Sequence, residues 1–296
     1  MVLDTNKVWL GSMMNGLRCD YSEFSNILSK SYELGIKNID TSPSYIGGEA
    51  DNIVSKAIKS YKNNEFIINT KIGRAYKTGL DKNLVYLNKK EIKECLSIIY
   101  KKYDQIRIGS IQIHIDCEKE IMEDAIFCLL HEISHKRIER IGFCNINDSR
   151  ILDLISNKEI SLNEVSCQRR FCLGIINSNM SLPIKYIAYG LLNAGSILNQ
   201  INLLKSRQFT AKDSGEIIKR DFFIKSNSIY SLIKKNCKKY NVSIKDFALA
   251  LPQLFNYENL IIAPTKLVHL KTIENLKNKE YWRRIILVKK EINFNI

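Results

Sequence analysis

Four side chains of different chemical types stand at or just after short apolar segments of this sequence. Asp40 and Lys71 each come near the end of such a segment, His114 lies within another, and Tyr45 follows Asp40 closely. A polar group in an apolar strand is costly to bury unless it is paired with another polar group or takes part in binding or catalysis. Taken singly, each is compatible with a structural salt bridge or a hydrogen-bonded core histidine.

Together these four residues form a set that could move a proton. A phenol has a pKa of about 10, and we expect the Lys71 ammonium to lower the pKa of Tyr45 by stabilising its phenolate. Asp40 would keep Lys71 charged and oriented, and His114 would hydrogen-bond a substrate carbonyl. A general acid beside an electrophile suits carbonyl reduction. In an alternative interpretation, Lys71 is the nucleophile of a Schiff-base lyase or aldolase.

The elements that must position these residues alternate in type along the chain. Short β-branched runs are separated by segments with apolar residues at helical spacing, a pattern typical of parallel strands joined by helices. We predict one α/β domain over residues 1–296, a (β/α)8 TIM barrel with a parallel eight-stranded sheet. The predicted strands are Lys7–Met13, Lys37–Thr41, Phe66–Ile72, Ile108–Ile115, Arg140–Ile146, Glu164–Arg169, Tyr186–Leu191 and Leu260–Pro264.

Two polar stretches without clear periodicity interrupt this alternation, Arg74–Asn88 and Gly195–Lys225. We interpret both as long βα loops. In barrels such loops stand at the carboxyl ends of the strands, where substrates bind. Their length predicts a lid or a cofactor clamp.

Composition favours a soluble enzyme over several other classes. The 296 residues are 45% apolar and 26% charged, and the net charge is +14. The lysines are spread along the chain, so we expect no nucleic-acid partner and instead attraction of an anionic cofactor or substrate. No segment predicts a signal peptide or a membrane span, and eight scattered cysteines suit a reducing compartment, so we expect a cytoplasmic protein.

The segment HEISH at residues 131–135 spells the HExxH pattern of zinc proteases. It lies at the end of an amphipathic helix, and no third ligand follows at a recognisable spacing. We therefore expect an ordinary solvated helix end and no metal.

Seven segments, in order, resemble signatures of the aldo-keto reductases, and the resemblance extends over essentially the whole chain. The segments are IDTSPSYIGGEADNIVSKAIK (39–59), NTKIG (69–73), SIQIHID (110–116), KRIERIGFCN (136–145), EVSCQRRF (164–171), IAYGLLNAGSIL (187–198) and APTKLVHLKTIEN (263–275). The resemblance implies a barrel reductase that uses a nicotinamide cofactor.

Carried over by position, the resemblance places the family's catalytic tetrad on Asp40, Tyr45, Lys71 and His114. It implies that Asn145 and Gln168 hold the nicotinamide carboxamide and that Tyr189 stacks on the nicotinamide ring, fixing which hydride leaves. The chain departs from the family pattern at Cys144, where serine is usual, at Gly190-Leu191, where Ser-Pro is usual, and at Thr265.

The last matching segment implies an adenosine-phosphate site. Lys266 and Lys271 are its candidate cations, and Glu274 and Asn275 its candidate adenine contacts. Two cations favour NADP(H) over NAD(H), because a ribose 2'-phosphate needs positive partners. We expect a small-molecule carbonyl or sugar-like substrate and a monomer or small homo-oligomer. A cofactor-sensing regulatory subunit with slow turnover is a further alternative.

Overall fold

The computed structural model describes residues 2–61, 65–77, 79–81, 84–156, 160–171, 182–192, 220–255 and 257–292, with side chains in the helix that begins at Arg220 described from residue 230. Eight parallel strands close into a barrel in chain order. They are β1 (Val8–Gly11), β2 (Asn38–Asp40), β3 (Ile67–Ile72), β4 (Arg107–Ile113), β5 (Arg140–Cys144), β6 (Val165–Arg170), β7 (Lys185–Tyr189) and β8 (Asn259–Ile262). The predicted (β/α)8 barrel and its strands are confirmed.

Helices follow most strands and cover the outside of the barrel. They are α1 (Tyr21–Glu33), α2 (Glu49–Ile58), α3 (Lys89–Lys102), α4 (Lys119–Ser134), α5 (Asp148–Ile155), α6 (Arg220–Lys239), α7 (Ile244–Leu254), α8 (Lys271–Leu276) and α9 (Lys279–Ile292). Within the described part of the chain, no helix is long and apolar enough to cross a membrane.

Local sequence explains where several of these helices begin. The side chain of Asp20 accepts a hydrogen bond from the backbone of Glu23 at the start of α1, at 2.8 Å. Asn88 and Glu91 form a reciprocal capping box at the start of α3. Such caps satisfy backbone N–H groups that have no partner inside the helix.

The main apolar core lies between the strands and the helices. The faces predicted from helical spacing are buried there, as with Phe24, Ile27 and Leu28 of α1. A separate small cluster fills one side of the barrel interior, where Trp9, Ile187 and Ile261 pack together against Tyr189.

The other side of the barrel interior is polar and hydrogen-bonded. Asn69 donates to Asn38 at 3.1 Å and accepts from Ser110 at 2.8 Å. The glycine at position 142 makes room for Gln112, because a Cβ added there would clash with the Gln112 side chain. The barrel therefore has an apolar half near β1, β7 and β8 and a polar half near β2 to β5.

The two predicted long loops have different outcomes. The stretch Arg74–Asn88 contains no helix or strand among its described residues, and its stem is fixed by the bridge of Gly73 to Tyr86. Of the stretch Gly195–Lys225, residues 195–219 lie outside the described residues. Residues 220–225 were wrongly predicted as loop, because they begin α6. The apolar residues Phe222, Phe223 and Ile224 are consecutive and show no helical spacing, so the sequence did not indicate that a helix begins here.

Candidate active site

A buried ion pair joins the first two sequence-predicted residues. Asp40 is the last residue of β2 and Lys71 lies near the end of the neighbouring β3. The Lys71 Nζ donates to Asp40 Oδ1 at 2.5 Å and to the backbone carbonyl of Thr41 at 3.2 Å. Burial lowers the pKa of Lys71, but the Asp40 carboxylate outweighs it, so the pKa lies above its ordinary value. Lys71 is therefore a permanent cation at the carboxyl end of the barrel.

Gln168 of β6 joins this pair from across the barrel. Its Nε2 donates to Asp40 Oδ1 at 2.5 Å, so the carboxylate oxygen accepts from both Lys71 and Gln168. Burial raises the pKa of the neighbouring Cys144 thiol to about 12, and the protonated thiol donates to Gln112 Oε1 at 3.1 Å. The sequence predicted Gln168 as a cofactor-binding residue. In the structure its amide nitrogen donates a hydrogen bond to Asp40.

Tyr45 and His114 lie next to the ion pair. Tyr45 begins a short 3-10 turn, Tyr45–Gly48, after β2. The Lys71 Nζ is 5.1 Å from the centre of the Tyr45 ring. His114 follows β4 directly, its backbone N–H donates to Ile72 O at 3.0 Å, and its ring centre is 5.7 Å from that of Tyr45. The structure thus brings Asp40, Tyr45, Lys71 and His114 together.

The expectation of an acidified Tyr45 is wrong in its net direction. Burial of the phenol raises the pKa of Tyr45, Lys71 lowers it and Asp40 raises it again, and the result lies above the ordinary value. The desolvation of the phenolate is larger than its attraction to Lys71, and repulsion by the Asp40 carboxylate adds to the desolvation. Tyr45 consequently keeps its proton at neutral pH.

His114 carries the opposite shift. Burial, then Lys71 and then Arg74 lower the pKa of His114 well below its ordinary value, so the imidazole is neutral. Its Nδ1 is buried and has no hydrogen-bond partner in the described structure. A buried polar atom without a partner is unusual in a folded protein and calls for an explanation, such as a bound molecule.

Asn145 and Tyr189 form a second pair at the same end of the barrel. The Tyr189 hydroxyl donates to Asn145 Oδ1 at 2.9 Å. Asn145 has a left-handed backbone with φ 58°, and its backbone N–H donates to Gln168 O at 2.9 Å. Asn145 is exposed and Tyr189 half-buried, so this pair faces outward from the strand ends.

The candidates of the adenosine-phosphate segment form a third group after β8. Lys266 and Lys271 are exposed. Glu274 pairs with Lys30 of α1 at 3.1 Å, and Asn275 Nδ2 donates to Asp246 Oδ2 of α7 at 3.0 Å. Across the described residues, the structure does not bring this group into contact with the Asp40–Lys71 pair.

Sequence reasoning missed a buried cluster beneath the site. Asp51 of α2 accepts from Thr41 Oγ1 at 3.1 Å, from Tyr103 at 2.5 Å and from Lys102 at 2.6 Å. This cluster holds Thr41 in place beside Asp40. The sequence contained one indication of this cluster. Asp51 lies on the apolar face of α2, where a buried carboxylate needs hydrogen-bond partners.

The HEISH segment lies at the opposite end of the barrel, since α4 ends just before β5 begins. Glu132 is buried and accepts from Tyr100 at 2.6 Å and from Arg137 at 3.1 Å. The rings of His131 and His135 pack against each other with centres 4.1 Å apart. These contacts give Glu132 a structural role.

Comparison with known proteins identifies the class of this chain. The sequence profile of the Aldo/keto reductase family matches residues 7–251, so the chain belongs to that family. No curated protein matches the chain in sequence.

Solved structures with the same fold include several members of the family. A glycerol dehydrogenase from Gluconobacter oxydans, AKR11B4, superposes with a TM-score of 0.74 at 18% identity over 98% of this chain and 93% of that one. The thermostable aldo-keto reductase Tm1743, solved with epalrestat, gives 0.69 at 15% identity over 97% and 95%. An aldo/keto reductase from Brucella melitensis gives 0.64 at 15% identity over 95% and 94%. At these identities the likeness concerns the fold alone.

The neutral state of His114 predicts a pH dependence of stability. The unfolded chain binds a proton at about pH 6.5, whereas folded His114 resists it, so stability is full above that pH and falls as pH drops below it. We expect His114→Asn to lose less unfolding free energy than the parent between pH 7.5 and 5.5, by up to about 1.4 kcal/mol over the whole interval. Urea unfolding at both pH values measures this, and equal losses in the two proteins would contradict it.

Proposed function

We propose that this protein reduces an aldehyde or ketone to an alcohol with a reduced nicotinamide cofactor, and that Tyr45 is its general acid. The observation that carries the proposal is the cluster of Tyr45 and His114 around the buried Asp40–Lys71 ion pair. Family membership supports an oxidoreductase.

The residues at the strand ends suit a nicotinamide. The exposed Asn145 side chain is oriented by Tyr189 through its Oδ1. This contact leaves the Asn145 amide nitrogen to donate to a carboxamide oxygen, and the Tyr189 ring is half-buried beside it. Reduced nicotinamide, when bound, supplies the hydride that the carbonyl carbon accepts.

The proton comes from the protein in this proposal. Tyr45 keeps its proton until the carbonyl oxygen gains negative charge, and then donates it to that oxygen to complete the alcohol. The Lys71 ammonium stabilises the phenolate left on Tyr45. Asp40, held by Gln168, keeps Lys71 charged and in place. Neutral His114 hydrogen-bonds the carbonyl and orients it.

The ion pair argues against the Schiff-base alternative. An amine nucleophile must lose its proton, and the Asp40 carboxylate raises the pKa of Lys71 above its ordinary value. A cofactor-sensing regulatory subunit would use the same cofactor residues and differ only in turnover. Measured turnover on small aldehydes therefore separates it from a reductase.

We expect Tyr45→Phe to lower kcat by at least about a hundredfold, because it removes the proton donor of a general-acid step. Cofactor affinity should stay within about twofold, because the proposed cofactor contacts are intact. NADPH oxidation with an aldehyde gives the rate, and quenching of tryptophan fluorescence gives the affinity. Tyr21→Phe, which removes an exposed hydroxyl on α1, is the matched control. An undiminished rate in Tyr45→Phe would refute the assigned role.

We further propose that NADPH is preferred to NADH. The support is the pair of exposed cations Lys266 and Lys271 on the segment after β8, since a 2'-phosphate needs positive partners. Fluorescence titrations should give tighter binding of NADPH in the parent. The Lys266→Gln variant should lose about tenfold in NADPH affinity and little in NADH affinity. Equal affinities for both cofactors in the parent would contradict the preference.

A further inference from the structure

Arg74 follows β3, the strand that carries Lys71. It follows Gly73 directly after β3, two residues beyond Ile72, whose carbonyl accepts the backbone N–H of His114. The loop stem is anchored there, because the backbone N–H of Tyr86 donates to Gly73 O at 3.1 Å. Arg74 is thus placed by β3 itself, beside Lys71 and His114, and it is half-buried.

Arg74 has no carboxylate partner among the described residues. Other arginines of the chain do: Arg107 pairs with Glu139, Arg137 with Glu132 at 3.1 Å, and Arg150 with Asp116 at 3.4 Å. Arg74 is partly withdrawn from water, and a cation in such a position is costly to leave unpaired to the extent that its lost hydration is not replaced. A reversibly bound anionic ligand would supply the partner that Arg74 lacks.

The charge of Arg74 acts on the interior of the site. After burial and Lys71, Arg74 is the next cause that lowers the pKa of His114. It also lowers the pKa of the Cys144 thiol, against the larger effect of burial. The guanidinium therefore acts on His114 after β4 and on Cys144 at the end of β5. A substrate carbonyl would bind beside them, between Tyr45 and His114.

The barrel order separates Arg74 from the proposed cofactor residues. Strands close in the order β1 to β8, so the end of β3 lies across the barrel from the end of β7, which carries Tyr189. The candidate cations Lys266 and Lys271 follow β8. An anion at Arg74 is therefore on the side of Lys71 and His114, where the substrate would lie, and away from the groups proposed to hold cofactor phosphates.

We propose that the substrate of this enzyme is a small carbonyl compound that carries an anionic group, a carboxylate or a phosphate, and that Arg74 binds this group. The inference rests on the proposed reductase function and adds the substrate class to it. A guanidinium binds either anion through paired N–H donors. Arg74 then determines specificity, while Tyr45 and His114 act on the carbonyl.

Matched pairs of aldehydes test this proposal. Butanal is compared with 4-oxobutanoate, and glyceraldehyde with glyceraldehyde 3-phosphate, each as kcat/KM with saturating NADPH. In the parent we expect the charged member of at least one pair to be favoured at least about tenfold, the effect of a charge-assisted hydrogen bond. In Arg74→Gln the ratio of charged to neutral should fall by at least about tenfold, chiefly through KM, and Arg74→Lys should recover part of it.

Lys59→Gln is the control for net charge, because it removes one exposed cation at the end of α2. Its charged-to-neutral ratio should equal that of the parent. A preference confined to 4-oxobutanoate identifies a carboxylate, and one confined to the phosphate identifies a phosphate ester. The proposal is overturned if the parent favours the neutral aldehydes, or if Arg74→Gln keeps the parent ratio. If the parent binds NADPH and NADH in titrations but reduces none of the four aldehydes, the reductase function itself has failed.

Discussion

The ion pair between Lys71 and Asp40 is the interaction on which the rest of the site depends. Burying two charges costs several kcal/mol for each ion, and their attraction repays this only with good geometry and further hydrogen bonds. Here the carboxylate oxygen also accepts from Gln168, and the ammonium also donates to the Thr41 carbonyl. Removal of either partner would leave an unpaired charge in the barrel, so the pair holds the ends of β2, β3 and β6 in one arrangement.

The polar half of the barrel interior makes this pair possible. The interior of such barrels is usually filled by branched apolar side chains, and the cluster of Trp9, Ile187 and Ile261 follows that rule. Beneath the ion pair, Asn69 is hydrogen-bonded to Asn38 and Ser110 instead. The apolar half stabilises the barrel by burial, and the polar half surrounds the Asp40–Lys71 ion pair with hydrogen-bonding groups.

The sequence predicted the barrel and its strands because a parallel strand buried on both faces is a continuous apolar run, which is readable locally. It also predicted that Asp40, Tyr45, Lys71 and His114 would meet, because the carboxyl ends of parallel strands share one face. The sequence could not predict contacts between side chains that are far apart along the chain. Gln168 reaches Asp40 from the far side of the barrel, and no local pattern marks that pairing.

Electrostatics and loops were harder to predict than strands. The direction of the Tyr45 pKa depends on the balance of burial, Lys71 and Asp40, and the sequence shows only that the charges are present. The start of α6 was missed because its apolar residues Phe222, Phe223 and Ile224 are consecutive and show no helical spacing. That Arg74 has no carboxylate partner among the described residues is likewise a property of the folded chain, since pairing depends on which carboxylates come near.

Transfer of deuterium tests the account most directly. The protein is incubated with glyceraldehyde or 4-oxobutanoate and with NADPH deuterated at carbon 4 on either face, and the alcohol is examined by mass spectrometry. The account predicts one deuterium on the alcohol carbon from one of the two deuterated forms, and its loss in Lys71→Met. An alcohol without deuterium from either form, or no alcohol with NADPH or NADH, would contradict hydride transfer to a carbonyl at this site.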